Sequence, residues 1–202
     1  MKKTTLIYGG GAIGSFLAAC LYKSNHKIFF LCRKKNYSEI KKNGLKINLY
    51  DNKILLKKIN LRVNKNFILI NSLTKAKKIK FDNIFITTKI TSSLKNIFLD
   101  IEKFISEKTL IITPCTSIPF WWYLCLKKKF EKKFEKKLDR IFVKNIKRKN
   151  LVGMTMWLSG KILKPGQVNI SHIQRGFPIK EVFAKNKVKV SLLRKDISKT
   201  CF

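Results

Sequence analysis

Carboxylates are scarce in this chain. Eleven Asp and Glu face 45 Lys and Arg, a formal net charge of +34, and no acidic residue precedes Glu39. Histidine is nearly absent too, limited to His26 and His172, and none of the five cysteines belongs to a C-x-x-C pair. Zinc-ligand spacing is therefore missing, and an odd cysteine count argues against a disulfide framework. A reducing cytoplasm suits such a chain. Long apolar runs are lacking as well. Nothing approaches the roughly 18 residues of a membrane span, so no membrane partner is expected. The N-terminal apolar stretch, which could pass for a lipoprotein signal, is interrupted by Gly9, Gly10, Gly11 and Gly14.

So large a positive charge raises the possibility of a nucleic-acid or anionic-membrane partner. The basic residues run the whole length of the chain, however, without concentrating in a tail or stripe, and lysine far outnumbers arginine. Lysine, isoleucine, asparagine and phenylalanine are abundant together, as an AT-rich genome produces without selection for a charged ligand. Compositional drift is the preferred reading. A basic nucleic-acid-binding module is the alternative, with steep salt dependence as its signature.

What is present begins at Leu6. A short apolar run enters Gly9-Gly10-Gly11-Ala12-Ile13-Gly14, which contains glycines spaced G-x-G-x-x-G, and residues 15–22 then read as helix. Such a strand–loop–helix turn suits a dinucleotide. The first glycine allows the sharp turn, the second admits a pyrophosphate, and the third lets helix and strand pack closely. A second strand is expected over 27–32, ending at Arg33-Lys34-Lys35. An NAD-type site wants a carboxylate there for the ribose 2′-hydroxyl, whereas arginine suits the 2′-phosphate of NADP. Arg33 points to NADP(H).

Further along, residues 37–43 read as a helix capped by Gly44, and 45–56 as a hairpin turned at Asp51-Asn52. Strands are expected at 67–70, 83–88 and 109–113, with an amphipathic helix over 94–105. Residues 126–140 form a basic helix pattern with Leu126, Phe130, Phe134 and Leu138 in one stripe. Two strands, 152–162 and 167–171, turn at Pro165-Gly166, and Phe177-Pro178-Ile179 adds a short one. Strand alternating with helix predicts an α/β fold, Rossmann-type and doubly wound around a mostly parallel sheet.

These pieces together resemble the ketopantoate reductases (2-dehydropantoate 2-reductases). The likeness rests on residues 9–15, Arg33, and Lys89 directly after the 84–88 strand. It continues through Ile118-Pro119-Phe120-Trp121-Trp122-Tyr123, Val152-Gly153-Met154, Pro165-Gly166-Gln167-Val168 and Gly176-Phe177-Pro178. The resemblance implies a reductase that passes hydride from NADPH to a small 2-keto acid such as ketopantoate, on the route to pantothenate and coenzyme A. It implies cofactor contacts at Gly9, Gly10, Gly11, Ala12, Ile13, Gly14, Arg33, Lys89 and Thr116. Thr116-Ser117 stands where the family has asparagine-glycine, and a threonine hydroxyl reaches less far than an amide. The resemblance also places the catalytic lysine and glutamate in a helical domain beyond Phe202. Residues 1–185 are accordingly expected to form the NADP-binding domain and 186–202 the start of that helical domain, with turnover impaired by truncation. Homodimerisation stays open.

Overall fold

The structure, a computed structural model, describes residues 2–76, 79–89, 94–116, 119, 146–171, 177–182 and 186–198. A seven-stranded sheet forms its centre. Its strands are β1 (Thr4–Tyr8), β2 (Lys27–Leu31), β5 (Phe67–Ile70), β6 (Asn83–Ile86), β7 (Leu110–Pro114), β8 (Leu151–Met154) and β11 (Ile179–Glu181). They lie in the order β11-β8-β7-β6-β1-β2-β5. Every pairing is parallel except β11 with β8. A parallel sheet covered on both faces needs apolar side chains pointing both ways, hence continuous apolar runs. Period-two alternation then divides each run between two cores. Leu6, Phe29, Ile84, Ile111 and Leu151 lie in register and pack on one face; Ile7, Phe30, Phe85, Ile112 and Val152 pack on the other.

Four helices cover this sheet among the described residues: α1 (Ala12–Lys23), α2 (Lys34–Asn43), α3 (Leu94–Ile101) and α4 (Lys187–Ser198). The uncharged stretch from Gly14 to Leu21 is buried all round, as expected of a helix with no polar face. Helix α3 is the opposite case, burying only the Leu94, Ile97, Phe98 and Ile101 stripe. The expected helix over 94–105 continues past α3 as a short 3-10 turn at Glu102–Phe104.

The covering on the α1 side is a second sheet, in the order β4-β3-β10-β9, built from β3 (Leu45–Asp51), β4 (Ile54–Leu61), β9 (Ser159–Lys164) and β10 (Gln167–Ser171). Strands β3 and β4 form a hairpin where one was expected. It turns at Asn52 and Lys53, both at positive φ, one residue later than Asp51-Asn52, and its second strand continues past residue 56 to Leu61. The β9–β10 turn uses Gly166 at φ +72°. A further expectation needs correction. Residues 152–162 are two strands in different sheets, β8 and β9. The chain leaves the central sheet after Met154, and the Thr155 amide donates to the Pro178 carbonyl. Met154 and Met156 stay buried across the break and Leu158 packs partly buried on the same core, so the apolar pattern never registers it. The basic pattern at 126–140 and residues 120–123 lie outside the described residues, as does Gly176.

At the end of the central sheet away from the glycine loop, a chain of hydrogen bonds ties α4 down. Asn83 donates to the Thr5 hydroxyl, which pairs with His26 Nδ1 at 2.9 Å. His26 Nε2 lies 3.1 Å from Asp196 of α4, whose carboxylate also takes the Lys3 ammonium at 2.6 Å. Burial pushes the His26 pKa below its ordinary value near 6.5, against the pull of Asp196. Burial also raises the Asp196 carboxyl, but bonds from Lys3 and His26 outweigh it and hold the group low. Since the unfolded chain binds a proton to this histidine more readily than the fold does, the contribution is complete above about pH 6.5 and is lost as pH falls below it. Urea unfolding midpoints are therefore expected to drop between pH 7 and 5. The His26→Asn variant, less stable throughout, should show a flatter profile across that window.

Candidate dinucleotide site

The C-terminal ends of β1, β2 and β6 open into a cleft of about 800 Å³. Its floor is the glycine loop. Gly9 turns off β1 at φ +128°, a conformation that side chains with a Cβ rarely adopt. The end of β2 and the residue just after β6 brace the turn. The Gly9 amide donates to the Leu31 carbonyl at 3.1 Å, and the Thr87 hydroxyl donates to the Gly9 carbonyl at 2.9 Å. Asn36, on α2, donates to the Gly10 carbonyl at 3.0 Å. Ser15 donates to the Gly11 carbonyl through both its amide and its hydroxyl. All three loop carbonyls are thus occupied within the protein, whereas the Gly10 and Gly11 amides make no bond among the described residues.

Helix α1 begins directly behind this loop, with Gly11 as its N-cap, no side-chain cap and no acidic residue in its first turn. Its first amides and the positive end of its dipole are therefore left for an anion. Space agrees with charge. Among the described residues, a Cβ built on Gly11 meets nothing within 4 Å, while one on Gly14 would run into the Gly9 carbonyl and lie 2.7 Å from Thr87 Oγ1. Gly14 thus serves helix–strand packing and Gly11 leaves a cradle that none of the described residues fills. Donors without acceptors, an uncapped helix start and an empty cradle together fit a pyrophosphate.

Arg33, the residue before α2, is exposed at the rim, and Lys89 follows β6 on the opposite wall. Gly9, Gly10, Gly11, Arg33 and Lys89 thus meet in the cleft as the sequence suggests. Ala12 and Ile13 occupy the first turn of α1, and Gly14 is buried beneath it. Thr116 is exposed two residues past β7 and does not line the cleft. Several lining residues had no signal in the motif: Asn36, Asn71, Asn96, Asp100, Tyr8 and Ile162. Helical spacing from Arg33 could have singled out Asn36; Ile162 arrives from the second sheet, which no local pattern foretells. Cys32 also lines the wall, but burial pushes its thiol up to about 12, so it remains protonated and a poor nucleophile. Among the described residues, no helix is long and apolar enough to cross a membrane.

Solved structures share this fold. D-mandelate dehydrogenase in complex with NADH and anilino(oxo)acetate superposes with a TM-score of 0.68 at 17% identity, covering 98% of this chain and 54% of that one. The 2-dehydropantoate 2-reductase of Porphyromonas gingivalis W83 gives 0.70 at 12% identity, covering 98% and 62%. A 2-dehydropantoate 2-reductase from Enterococcus faecalis gives 0.68 at 18%, covering 98% and 54%. The chain therefore spans between 54% and 62% of the length of these relatives. No curated protein matches the sequence. The profile of the family described as ketopantoate reductase PanE/ApbA matches residues 5–114, more than half of the chain and all of the strands that form the cleft floor. By that match, the chain belongs to the ketopantoate reductase family.

Proposed function

We propose that these residues form the cofactor-binding part of an NADPH-dependent reductase acting on a small 2-keto acid of the ketopantoate type, in the cytoplasm. One observation carries the reading: the loop amides and the α1 N-terminus converge on an unfilled cradle at Gly11, with Arg33 at the adjoining rim. The relatives complexed with NADH support a nicotinamide dinucleotide as the ligand. Arg33, standing where an NAD-type site would place a carboxylate, supports the 2′-phosphorylated form.

When bound, NADPH would supply the hydride that converts the keto carbon to an alcohol. The residues described here perform the binding and orientation. Loop and helix amides would hold the pyrophosphate, and Arg33 would hold the 2′-phosphate through charge-assisted hydrogen bonds. Lys89 would add positive charge on the facing wall. Asn36, by fixing the Gly10 carbonyl, keeps the loop in its binding geometry before the ligand arrives, which lowers the ordering cost of association. We read residues 1–185 as this cofactor unit and 186–202 as leading toward a substrate-binding part.

Titration of the chain with NADPH and NADH, followed by quenching of tryptophan emission, tests the reading. Micromolar NADPH binding and a markedly weaker response to NADH are expected. A folded chain that binds neither would overturn it.

A further inference from the structure

Among the described residues one carboxylate lines this cleft alongside Arg33 and Lys89, and the phosphate reading gives it no role. Asp100 sits on α3, one turn beyond Asn96 and Ile97, which also face the cleft. The Tyr8 hydroxyl, at the end of β1, donates to Asp100 Oδ2 at 2.7 Å. Burial, and then the adjacent Asp100 carboxylate, push the Tyr8 phenol up, so it stays a donor across the working pH range. The other carboxylate oxygen makes no bond among the described residues.

A carboxylate facing bound phosphates would oppose binding. Its placement makes sense against a neutral part of the ligand. The phosphate-binding features assigned above are the glycine loop, the start of α1 and the cations Arg33 and Lys89. Leu31, Ile97 and the Tyr8 ring supply apolar lining to the cleft and belong to the second core. An aromatic ring and two aliphatic side chains offer a flat purine a surface, and Asp100 stands at its border as a fixed acceptor.

Resting on the dinucleotide reading above, we propose that Tyr8 and Asp100 form the purine-reading element of the cleft. Tyr8 orients the carboxylate, and its second oxygen accepts a hydrogen bond from the 6-amino group of adenine. A 6-oxo purine presents an acceptor at that position and meets the carboxylate with repulsion. Asp100 acts on specificity, and Tyr8 is a positioning residue for it.

The probe is reduced nicotinamide hypoxanthine dinucleotide phosphate, which differs from NADPH only at the purine. Both dinucleotides carry the same phosphates, so their affinity ratio cancels any general effect of charge on binding. The wild-type chain should bind NADPH about tenfold more tightly, the loss expected for one hydrogen bond to a charged acceptor. Asp100→Asn, whose amide can donate to a 6-oxo group, should bring the ratio to about one or invert it. Tyr8→Phe, which leaves the acceptor but frees it, should lower the ratio part of the way. NADPH binding with equal wild-type affinity for the probe, or an unchanged tenfold ratio in Asp100→Asn, would overturn the purine assignment alone. Failure of both dinucleotides to bind would overturn it together with the dinucleotide reading.

Discussion

Gly11→Asp will leave the protein folded and abolish dinucleotide binding, while Gly14→Ala, the smaller change three residues away, will destabilise the fold itself. The two glycines belong to one motif but answer to different constraints. Gly11 has φ −83° and ψ −172°, an ordinary extended conformation, and a Cβ there meets no atom of the described residues within 4 Å. Aspartate is also among the preferred N-cap residues, so α1 should lose nothing and could gain a few tenths of a kcal/mol. The new carboxylate would nevertheless occupy the cradle and face the pyrophosphate. At about 4 Å and an effective dielectric constant near 20, like charges repel by roughly 4 kcal/mol. A hundredfold or greater loss of affinity is expected, read by the same fluorescence titration.

At Gly14 the obstruction is the Gly9 backbone carbonyl, which no side-chain rotation can clear, with Thr87 Oγ1 and Ile7 Cγ2 close behind at 2.7 and 3.1 Å. Helix α1 would have to withdraw from β1, disturbing the core on which both sheets pack. Overpacking usually costs about 1–3 kcal/mol, and a backbone obstacle belongs at the upper end. For a chain of this size that lowers the melting temperature by roughly 6–12 °C. Differential scanning calorimetry of the two variants separates the roles. Equal melting temperatures would show that Gly14 is not a packing residue.

Reversing the charge at Arg33 should exchange the cofactor preference. Arg33 begins the chain's exit from β2 and lies exposed at the cleft rim, so Arg33→Glu should fold normally. Hydrogen bonds to charged groups contribute about 1.5–3 kcal/mol, and each 1.4 kcal/mol is a factor of ten. Loss of the 2′-phosphate contact alone predicts a fall in NADPH affinity of roughly 10- to 100-fold. Repulsion from the new carboxylate adds to it, and the same carboxylate can accept from the 2′-hydroxyl of NADH. NADH affinity should therefore hold or rise as NADPH affinity falls. A parallel loss for both cofactors would show that Arg33 supplies only general positive charge; no change for either would remove it from the site.

Much of the floor of this site is legible in the chain because its determinants are local. A dinucleotide loop needs glycine at fixed intervals between one strand and one helix, and Gly9, Gly11 and Gly14 meet that need within six residues. The parallel sheet is legible for a similar reason. Burial on both faces demands uninterrupted apolar runs such as Ile28-Phe29-Phe30 and Leu110-Ile111-Ile112, bounded by turns. Arg33 followed from spacing alone, since the end of β2 lies beside the end of β1 by parallel pairing.

The walls of the cleft were decided by tertiary structure. Asp100 on α3 and Ile162 on β9 reach the glycine loop only after the central sheet has brought β6 beside β1 and a second sheet has closed over α1. That second sheet depends on β3 pairing with β10, more than a hundred residues away, and no periodicity within either strand encodes the partner. The break between β8 and β9 is invisible for the related reason that burial continues through it. Hydrophobic pattern reports whether a residue is covered, not which surface covers it. Sequence alone therefore determined the glycine turn at the cleft floor and the basic residue beside it, whereas the second sheet and the residues on the cleft walls came from contacts made across the fold.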